Sequence, residues 1–242
     1  MAIDEMKQID QKAVAEEFDK YRDTYSDAVN DALIVPGLDV DYFTKVKAQI
    51  LLDQARAIFG DPGQIDVLDV GCGIGNYHPL LKGAFHRLVG VDVSPESIDR
   101  AKERNTDVEY LVYDGRTLPF EDTSFDIAYA ICVVHHVPVP MWENFFAELH
   151  RVLKPSGRAM IFEHNPLNPL TMRVVNRCPF DRDAVLLKQG KTTSLLGGAG
   201  FADVSSRTFL NVPSFNRLTR QLDQMIGVLP TGAQYLAMGT KR

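Results

Sequence analysis

Three glycines stand at alternate positions directly after a short apolar run that carries one carboxylate. The run is 67–70, its carboxylate is Asp69, and the glycines are Gly71, Gly73 and Gly75. This order predicts a strand, a tight turn and the start of a helix. Glycine lets the backbone adopt positive φ, and bare main chain beside the unpaired N–H groups of a helix start can contact a ligand closely. The stretch therefore predicts a site for a nucleotide-like ligand.

Two more aspartates follow the next two predicted strands. Asp92 ends the strand predicted at 88–92, and a carboxylate about twenty residues past such a glycine turn can accept hydrogen bonds from both ribose hydroxyls. Asp114 follows the strand predicted at 108–112, in a polar loop. Because ligands of parallel sheets bind outside the carboxyl ends of the strands, we expect both side chains beside the glycine turn.

Candidate proton acceptors come after two further strands. The strand predicted at 127–134 is followed by His135 and His136, and the strand predicted at 159–162 by Glu163 and His164. A histidine titrates near neutral pH, and a neighbouring carboxylate can hold its tautomer and stabilise the imidazolium. The hypothesis is that His135 or His136, oriented by Glu163, takes a proton from a hydroxyl group of a bound substrate. The alternative is that one histidine packs over the bound ligand and the other caps the strand.

The cysteines and histidines do not match a metal-binding pattern. The chain has three cysteines, Cys72, Cys132 and Cys178, and neither a Cys-x-x-Cys pair nor a His-Glu-x-x-His sequence. We therefore predict no metal site. Cysteines so few, and in apolar or turn contexts, indicate a reducing compartment rather than a disulfide framework. Cys72 has no basic neighbour in sequence and is interpreted as a small packing residue.

The composition argues against nucleic-acid and membrane partners. The 242 residues carry a formal net charge of -6 without a run of lysines and arginines, whereas a nucleic-acid binder usually shows a basic patch. The first residues do not form a basic-then-apolar leader, and no apolar run approaches the roughly 18 residues that span a bilayer. We expect a cytoplasmic protein. The oligomeric state stays open.

Alternating strand and helix patterns predict the architecture. Apolar runs predict strands at 66–70, 88–92, 108–112, 127–134, 159–162, 204–212 and 234–239. Helical spacing of apolar residues predicts helices at 10–30, 42–58, 76–85, 95–104, 141–153, 170–177, 192–199 and 217–227. Such alternation implies an α/β fold with a parallel sheet and right-handed crossovers, and the length favours one domain.

These motifs together resemble the class I S-adenosylmethionine-dependent methyltransferases, nearest to the branch that acts on small molecules. The motifs that carry the resemblance are 67–75, 90–94, 113–114, 125–127 and 153–157. The resemblance implies a doubly wound, Rossmann-like sheet of seven mostly parallel strands, with the last strand, 234–239, antiparallel and with extra N-terminal helices. It divides a single domain, 1–242, into a helical lid at 1–60, a cofactor-binding core at 64–165 and a substrate side at 166–242.

The resemblance also assigns S-adenosyl-L-methionine as the methyl donor, which leaves as S-adenosyl-L-homocysteine. Asp69 is expected to hold the turn and orient the amino group of the donor, and Gly71 and Gly73 to lie against its methionine portion. Asp114 resembles the acceptor for the adenine amino group, with the backbone of Gly115 near the ring edge. Four residues complete the implied cofactor site: Cys72, Val93, Ile131 and Tyr21. The aromatic N-terminal helix that carries Tyr21 is expected to fold over the donor as a lid or simply to pack in the core.

We therefore predict a methyltransferase that acts on a small molecule, with O-methylation of a sugar-like or other metabolite preferred over C- or N-methylation. The first rival is a dinucleotide-dependent oxidoreductase, whose fingerprint requires a third glycine at the position of Asn76. The second rival is a binding protein that keeps the cofactor site without catalysis. Release of S-adenosylhomocysteine distinguishes the enzyme from the binding protein.

Overall fold

The computed structural model describes residues 39–178, 181, 184–212 and 217–242. Its strands are β1 (Asp66–Val70), β2 (Arg87–Asp92), β3 (Glu109–Val112), β4 (Phe125–Ile131), β5 (Leu153–His164), β6 (Ala202–Phe209) and β7 (Gln234–Thr240). Its α-helices are α1 (Val40–Phe59), α2 (His78–Leu81), α3 (Pro95–Arg104), α4 (Trp142–Val152), α5 (Pro169–Val175), α6 (Gln189–Gly198) and α7 (Arg217–Ile226). The helix predicted at 10–30, and Tyr21 with it, lies outside the described residues.

The seven strands form one sheet in the order β3-β2-β1-β4-β5-β7-β6. The first five strands run parallel, and β7 pairs antiparallel with both β5 and β6. This topology confirms the predicted doubly wound, mostly parallel sheet with an antiparallel last strand. The strand order reverses between β1 and β4, and the crevice at the carboxyl ends of these two strands is where such sheets bind ligands.

Helices cover both faces of the sheet. On one face, α4 packs Trp142, Phe146 and Leu149 against the strands. On the other face, α1 contributes Leu51 and Ala55, each with 0% of its surface exposed. Because both faces are covered, the central strands are almost continuously apolar rather than alternating. Among the described residues, no helix has the length and apolar character needed to cross a membrane.

The helix α3 begins as its sequence predicts. The side chain of Ser94 accepts a hydrogen bond from the backbone N–H of Ser97 at 2.9 Å, and Pro95 occupies the first turn. Glu96 in the same turn complements the helix dipole. The predicted range of 95–104 is confirmed, and Asp92 therefore lies two residues before a well-defined helix start.

Several predicted boundaries were wrong. The strand predicted at 204–212 is β6, Ala202–Phe209, and the helix predicted at 192–199 is α6, Gln189–Gly198. The helix predicted at 76–85 is only α2, His78–Leu81, because Lys82 leaves the helical region with ψ 137°. The strand predicted to end at residue 134 ends at Ile131, because the next residue, Cys132, has φ 57°. The fifth strand begins at Leu153 rather than at 159, because Leu153 already pairs with Phe125 of β4. The register between the two strands then shifts between Phe125 and Ile127. Each difference depends on local backbone angles or tertiary pairing that apolar periodicity does not report.

Candidate functional site

The glycine turn joins β1 to α2 and is hydrogen-bonded to β2. The backbone N–H groups of Gly71 and Cys72 donate to the carbonyl of Val91 at 2.8 and 3.0 Å, which ties the turn to β2. Gly71 has φ 80°, and a Cβ there would lie 2.6 Å from a methyl carbon of Val133. Gly73 has φ 52°, and a Cβ there would meet no atom of the described residues within 4 Å. One glycine is therefore packed against β4, and the other borders open space.

Asp69 holds the turn from inside the protein. It is 2% exposed, and its Oδ2 lies 3.0 Å from Nε2 of His78. The other ring nitrogen of His78 forms a hydrogen bond with the hydroxyl of Tyr110. Sequence reasoning did not find His78 or Tyr110, because a single histidine and a single tyrosine carry no motif. The expected contact of Asp69 with the amino group of a donor stays a prediction.

Asp92 bridges the glycine turn and the start of α3. Its Oδ2 accepts the N–H of Gly73 at 2.8 Å, and its Oδ1 accepts the N–H of Ser94 at 2.9 Å. Burial raises the pKa of Asp92, although the two backbone hydrogen bonds act against this shift. Each carboxylate oxygen keeps acceptor capacity after one such bond. The carboxylate can thus receive ribose hydroxyls, with Val93 partly buried beside it.

Asp114 shapes the loop after β3. Its Oδ1 accepts the N–H groups of Arg116 and Thr117, each at 2.8 Å. The hydrogen bond from Thr117, and then that from Arg116, contribute most to lowering the pKa of the exposed Asp114 carboxyl. Gly115 is buried, with φ 74°. The loop therefore presents an ionised carboxylate beside an accessible turn, as a contact with a purine amino group requires.

The remaining predicted cofactor residues are packing groups around the turn. Cys72 is buried, and burial raises the pKa of its thiol well above the usual range. Ile131, the last residue of β4, is 8% exposed. These positions agree with the interpretation of Cys72 as a small packing residue, while its contact with a donor stays a prediction.

His135 lies in a 3-10 turn, Val134–His136, directly after β4. Its Nδ1 is hydrogen-bonded to Oε2 of Glu163 at the end of β5. The other oxygen, Oε1, accepts the N–H groups of Val133 and Val134 at 3.2 and 2.8 Å. Burial opposes the charge on His135, but Glu163 and Asp181 outweigh it and raise the pKa of His135 to about 10. His135 is therefore a fixed cation at neutral pH.

His136 has the opposite character. Burial, and then the charge of His135, lower the pKa of His136 to about 4, so its ring is neutral at neutral pH. Its Nε2 lies 3.4 Å from Oδ1 of Asp181, and Nε2 of His135 lies 3.7 Å from the same oxygen. The predicted histidines and Glu163 thus come together, with Glu163 bonded to His135. Asp181 was missed, because nothing in the sequence around it links it to β4.

The same cluster groups three residues of metal-ligand type. The candidate ligand atoms of His135, His136 and Asp181 all lie within 4.8 Å of one another. One of the three, His135, is also hydrogen-bonded through its Nδ1 to Glu163, which leaves its Nε2 facing Asp181. The prediction that the chain has no metal site stays a prediction.

Comparisons with known proteins match the central part of the chain. A family model described as "Methyltransferase domain" matches residues 68–161. The chain is 31% identical over 138 residues to 24-methylenesterol C-methyltransferase 2 of Arabidopsis thaliana. This match covers 53% of this chain and 36% of that protein. It is 33% identical over 105 residues to the 18S rRNA (guanine-N(7))-methyltransferase of Bos taurus. This match covers 39% of this chain and 37% of that protein. The chain thus spans little more than a third of the length of these relatives.

A solved structure shows the same fold over nearly the whole chain. It is a S-adenosylmethionine-dependent methyltransferase of Thermotoga maritima, described as a possible histamine N-methyltransferase. Its TM-score is 0.66 with 18% sequence identity, and the match covers 96% of this chain and 100% of that chain. The sheet and its crossovers are therefore those of this fold class.

Proposed function

We infer the activity from the family of this chain, which through residues 68–161 belongs to the class I S-adenosylmethionine-dependent methyltransferases. The proposal is that the chain binds S-adenosyl-L-methionine at the glycine turn and transfers its methyl group to a small molecule, preferably to a hydroxyl oxygen. When bound, this donor supplies an electrophilic methyl carbon on a positively charged sulfur.

The observation that carries the proposal is the contact between Asp92 and Gly73. The carboxylate is held 2.8 Å from the N–H of Gly73, whose Cβ position has no described atom within 4 Å. A donor with a ribose fits this arrangement, because its hydroxyls can donate hydrogen bonds to the acceptor capacity that the Asp92 oxygens keep. An acid at the position of Asp92 would also suit the ribose of a dinucleotide, but the third glycine of the dinucleotide fingerprint is replaced by Asn76. The residues present therefore fit the sulfonium donor better than a dinucleotide.

The histidine pair offers a proton acceptor for the proposed reaction at a hydroxyl. The acceptor hydroxyl would lose its proton as its oxygen receives the methyl group from the donor, and the neutral His136 would take that proton. Asp181, 3.4 Å from the Nε2 of His136, stabilises the imidazolium that forms. His135 stays protonated between Glu163 and Asp181 and holds the carboxylate of Asp181 in place. Positioning of reactants can supply about 7–11 kcal/mol of the barrier, and a general base adds roughly 10²–10⁴-fold.

The experiment begins with a screen of cell-extract metabolites for a mass gain of one methyl group with the protein and its donor. With the acceptor found, His136→Ala is expected to lower kcat by roughly 10²–10⁴-fold without changing the affinity for S-adenosylhomocysteine. His86→Ala is the matched control, because the His86 side chain is 69% exposed and pairs with Asp66. Full turnover by His136→Ala and by His135→Ala would overturn the proposed role of this pair.

Carbon is the second candidate acceptor atom, because the relative from Arabidopsis thaliana is named as a C-methyltransferase. A carbon nucleophile also loses a proton, so the same histidine pair serves either reaction. The relative from Bos taurus is named as acting on rRNA, but the net charge of -6 favours a small molecule. NMR of the labelled product distinguishes O-, N- and C-methyl groups, and methylation of added RNA would contradict the small-molecule proposal.

A further inference from the structure

One lysine of helix α1 is buried at the edge of the glycine turn. Lys47 is 5% exposed and lies on the helix face that also buries Ala48 and Leu51. An ammonium group removed from water is costly unless an anion or strong acceptors surround it. The proposed transfer of a methyl group does not use this cation, and its burial therefore needs another explanation.

The described neighbours of the ammonium belong to the walls of the donor crevice. Its Nζ lies 3.5 Å from Sγ of Cys132 and 5.7 Å from the centre of the Tyr77 ring. Cys132 follows β4 directly, and the next residue, Val133, packs against Gly71. Tyr77 lies at the other end of the glycine turn, just before α2. The ammonium thus faces the place where the turn and β4 meet.

Two neighbours keep Lys47 charged, and neither is a carboxylate: the hydroxyl of Tyr77, and the thiol of Cys132, whose pKa Lys47 and His164 lower to about 7 against the effect of burial. Burial acts against the charge, yet Cys132 and Tyr77 outweigh it and raise the pKa of Lys47. Among the described residues, no carboxylate lies within ion-pair distance of its Nζ. The carboxylate of the turn, Asp69, is bonded to His78, and Glu163 is bonded to His135. A strong anion would complete this site.

We propose that Lys47 binds the α-carboxylate of S-adenosylmethionine and so positions its methionine end against the glycine turn. The inference rests on the proposed function, because it takes the donor from there. The carboxylate is the one negative charge that the donor carries, and a charge-assisted hydrogen bond to a buried ammonium is stronger than one to a neutral group. Lys47 is a binding residue, and the methyl transfer itself does not pass through it.

The test is a cycle of two ligands and two proteins, measured by calorimetry. The ligands are S-adenosylhomocysteine and its α-carboxamide, which differ only in the charge and oxygen of the carboxylate. The proteins are the unaltered chain and Lys47→Met, whose side chain fills similar volume without charge. Lys45→Met is the matched control, because Lys45 lies on the same helix and is exposed. If Lys47→Met does not fold, Lys47→Gln takes its place, because glutamine keeps a hydrogen-bond donor but no charge.

We expect Lys47→Met to weaken binding of S-adenosylhomocysteine by about 10- to 100-fold and to leave binding of the carboxamide within about twofold. The Lys45→Met variant should bind both ligands as the unaltered chain does. Equal weakening of both ligands by Lys47→Met, or no weakening of either, would overturn the inference while leaving the proposed function standing. If the unaltered chain binds neither ligand, the proposed function itself fails.

Discussion

The two glycines of the turn that flank Cys72 are expected to respond differently to the same substitution. Gly71 and Gly73 both have positive φ, 80° and 52°. A Cβ on residue 71 would lie 2.6 and 2.7 Å from the two methyl carbons of Val133, whereas a Cβ on residue 73 would meet nothing within 4 Å. Gly71→Ala therefore adds strain and a collision, and Gly73→Ala adds strain alone.

The magnitudes follow from these two contributions to the free energy of unfolding. A left-handed conformation costs an alanine about 1–2 kcal/mol, and forcing a methyl group into a packed region costs about 1–3 kcal/mol more. We expect Gly71→Ala to lower the free energy of unfolding by about 2–5 kcal/mol. Gly73→Ala should lower it by about 1–2 kcal/mol. Relief of the collision by moving Val133 would disturb its N–H bond to Glu163, 3.2 Å long, and would reach His135.

Donor binding is expected to show the reverse order at temperatures where both variants are folded. The open space at Gly73 is where the donor should lie, so a methyl group there should weaken binding of S-adenosylhomocysteine at least tenfold, about 1.4 kcal/mol. Urea unfolding and titration calorimetry measure the two quantities on the same preparations. Equal stability losses for the two variants would refute the collision with Val133. Undiminished binding by Gly73→Ala would refute the placement of the donor.

Two further predictions concern the carboxylates of the crevice. Asp92→Asn should weaken binding of S-adenosylhomocysteine by about 10- to 100-fold, because an amide NH₂ would face the N–H of Gly73 or Ser94. Binding by the unaltered chain should decline as acid protonates Asp92, whose pKa burial raises above 3.8. Calorimetry across acidic pH measures both effects, and an unchanged affinity of the variant would contradict them. Glu163 and Asp181 raise the pKa of His135 from 6.5 to about 10 against the effect of burial, so their stabilisation is complete below pH 6.5 and disappears as pH rises through 10. Glu163→Gln should therefore lower the free energy of unfolding by about 3–5 kcal/mol near neutral pH and flatten the decline of this free energy toward alkaline pH. Urea unfolding at several pH values measures both. A variant with the same pH dependence as the unaltered chain would contradict the ion pair between Glu163 and His135.

Much of the sheet could be predicted because its strands are buried on both faces. The run at 66–70 and the cap at Ser94 were located correctly, since apolar continuity and capping chemistry are local properties. The end of β4 was missed, because a cysteine within an apolar run gives no sign of the positive φ that Cys132 adopts. The short helix α2 was overextended for a related reason, since the chain leaves the helical region at Lys82.

The site was predictable only where its residues follow strand ends. His135, His136 and Glu163 were grouped from the parallel topology, and the structure brings them into contact. Asp181 comes from a segment without periodicity, so its approach to both histidines is a tertiary event. Lys47 did leave a signal, because a lysine at helical spacing with buried apolar residues is unusual.

The central claim is that the glycine turn and Asp92 bind a sulfonium donor without phosphate groups. The most direct test is titration calorimetry of the unaltered chain with S-adenosylmethionine and, separately, with NAD. We predict saturable binding of S-adenosylmethionine with one site per chain and no measurable binding of NAD. Saturable binding of NAD, with no heat from S-adenosylmethionine, would contradict the account.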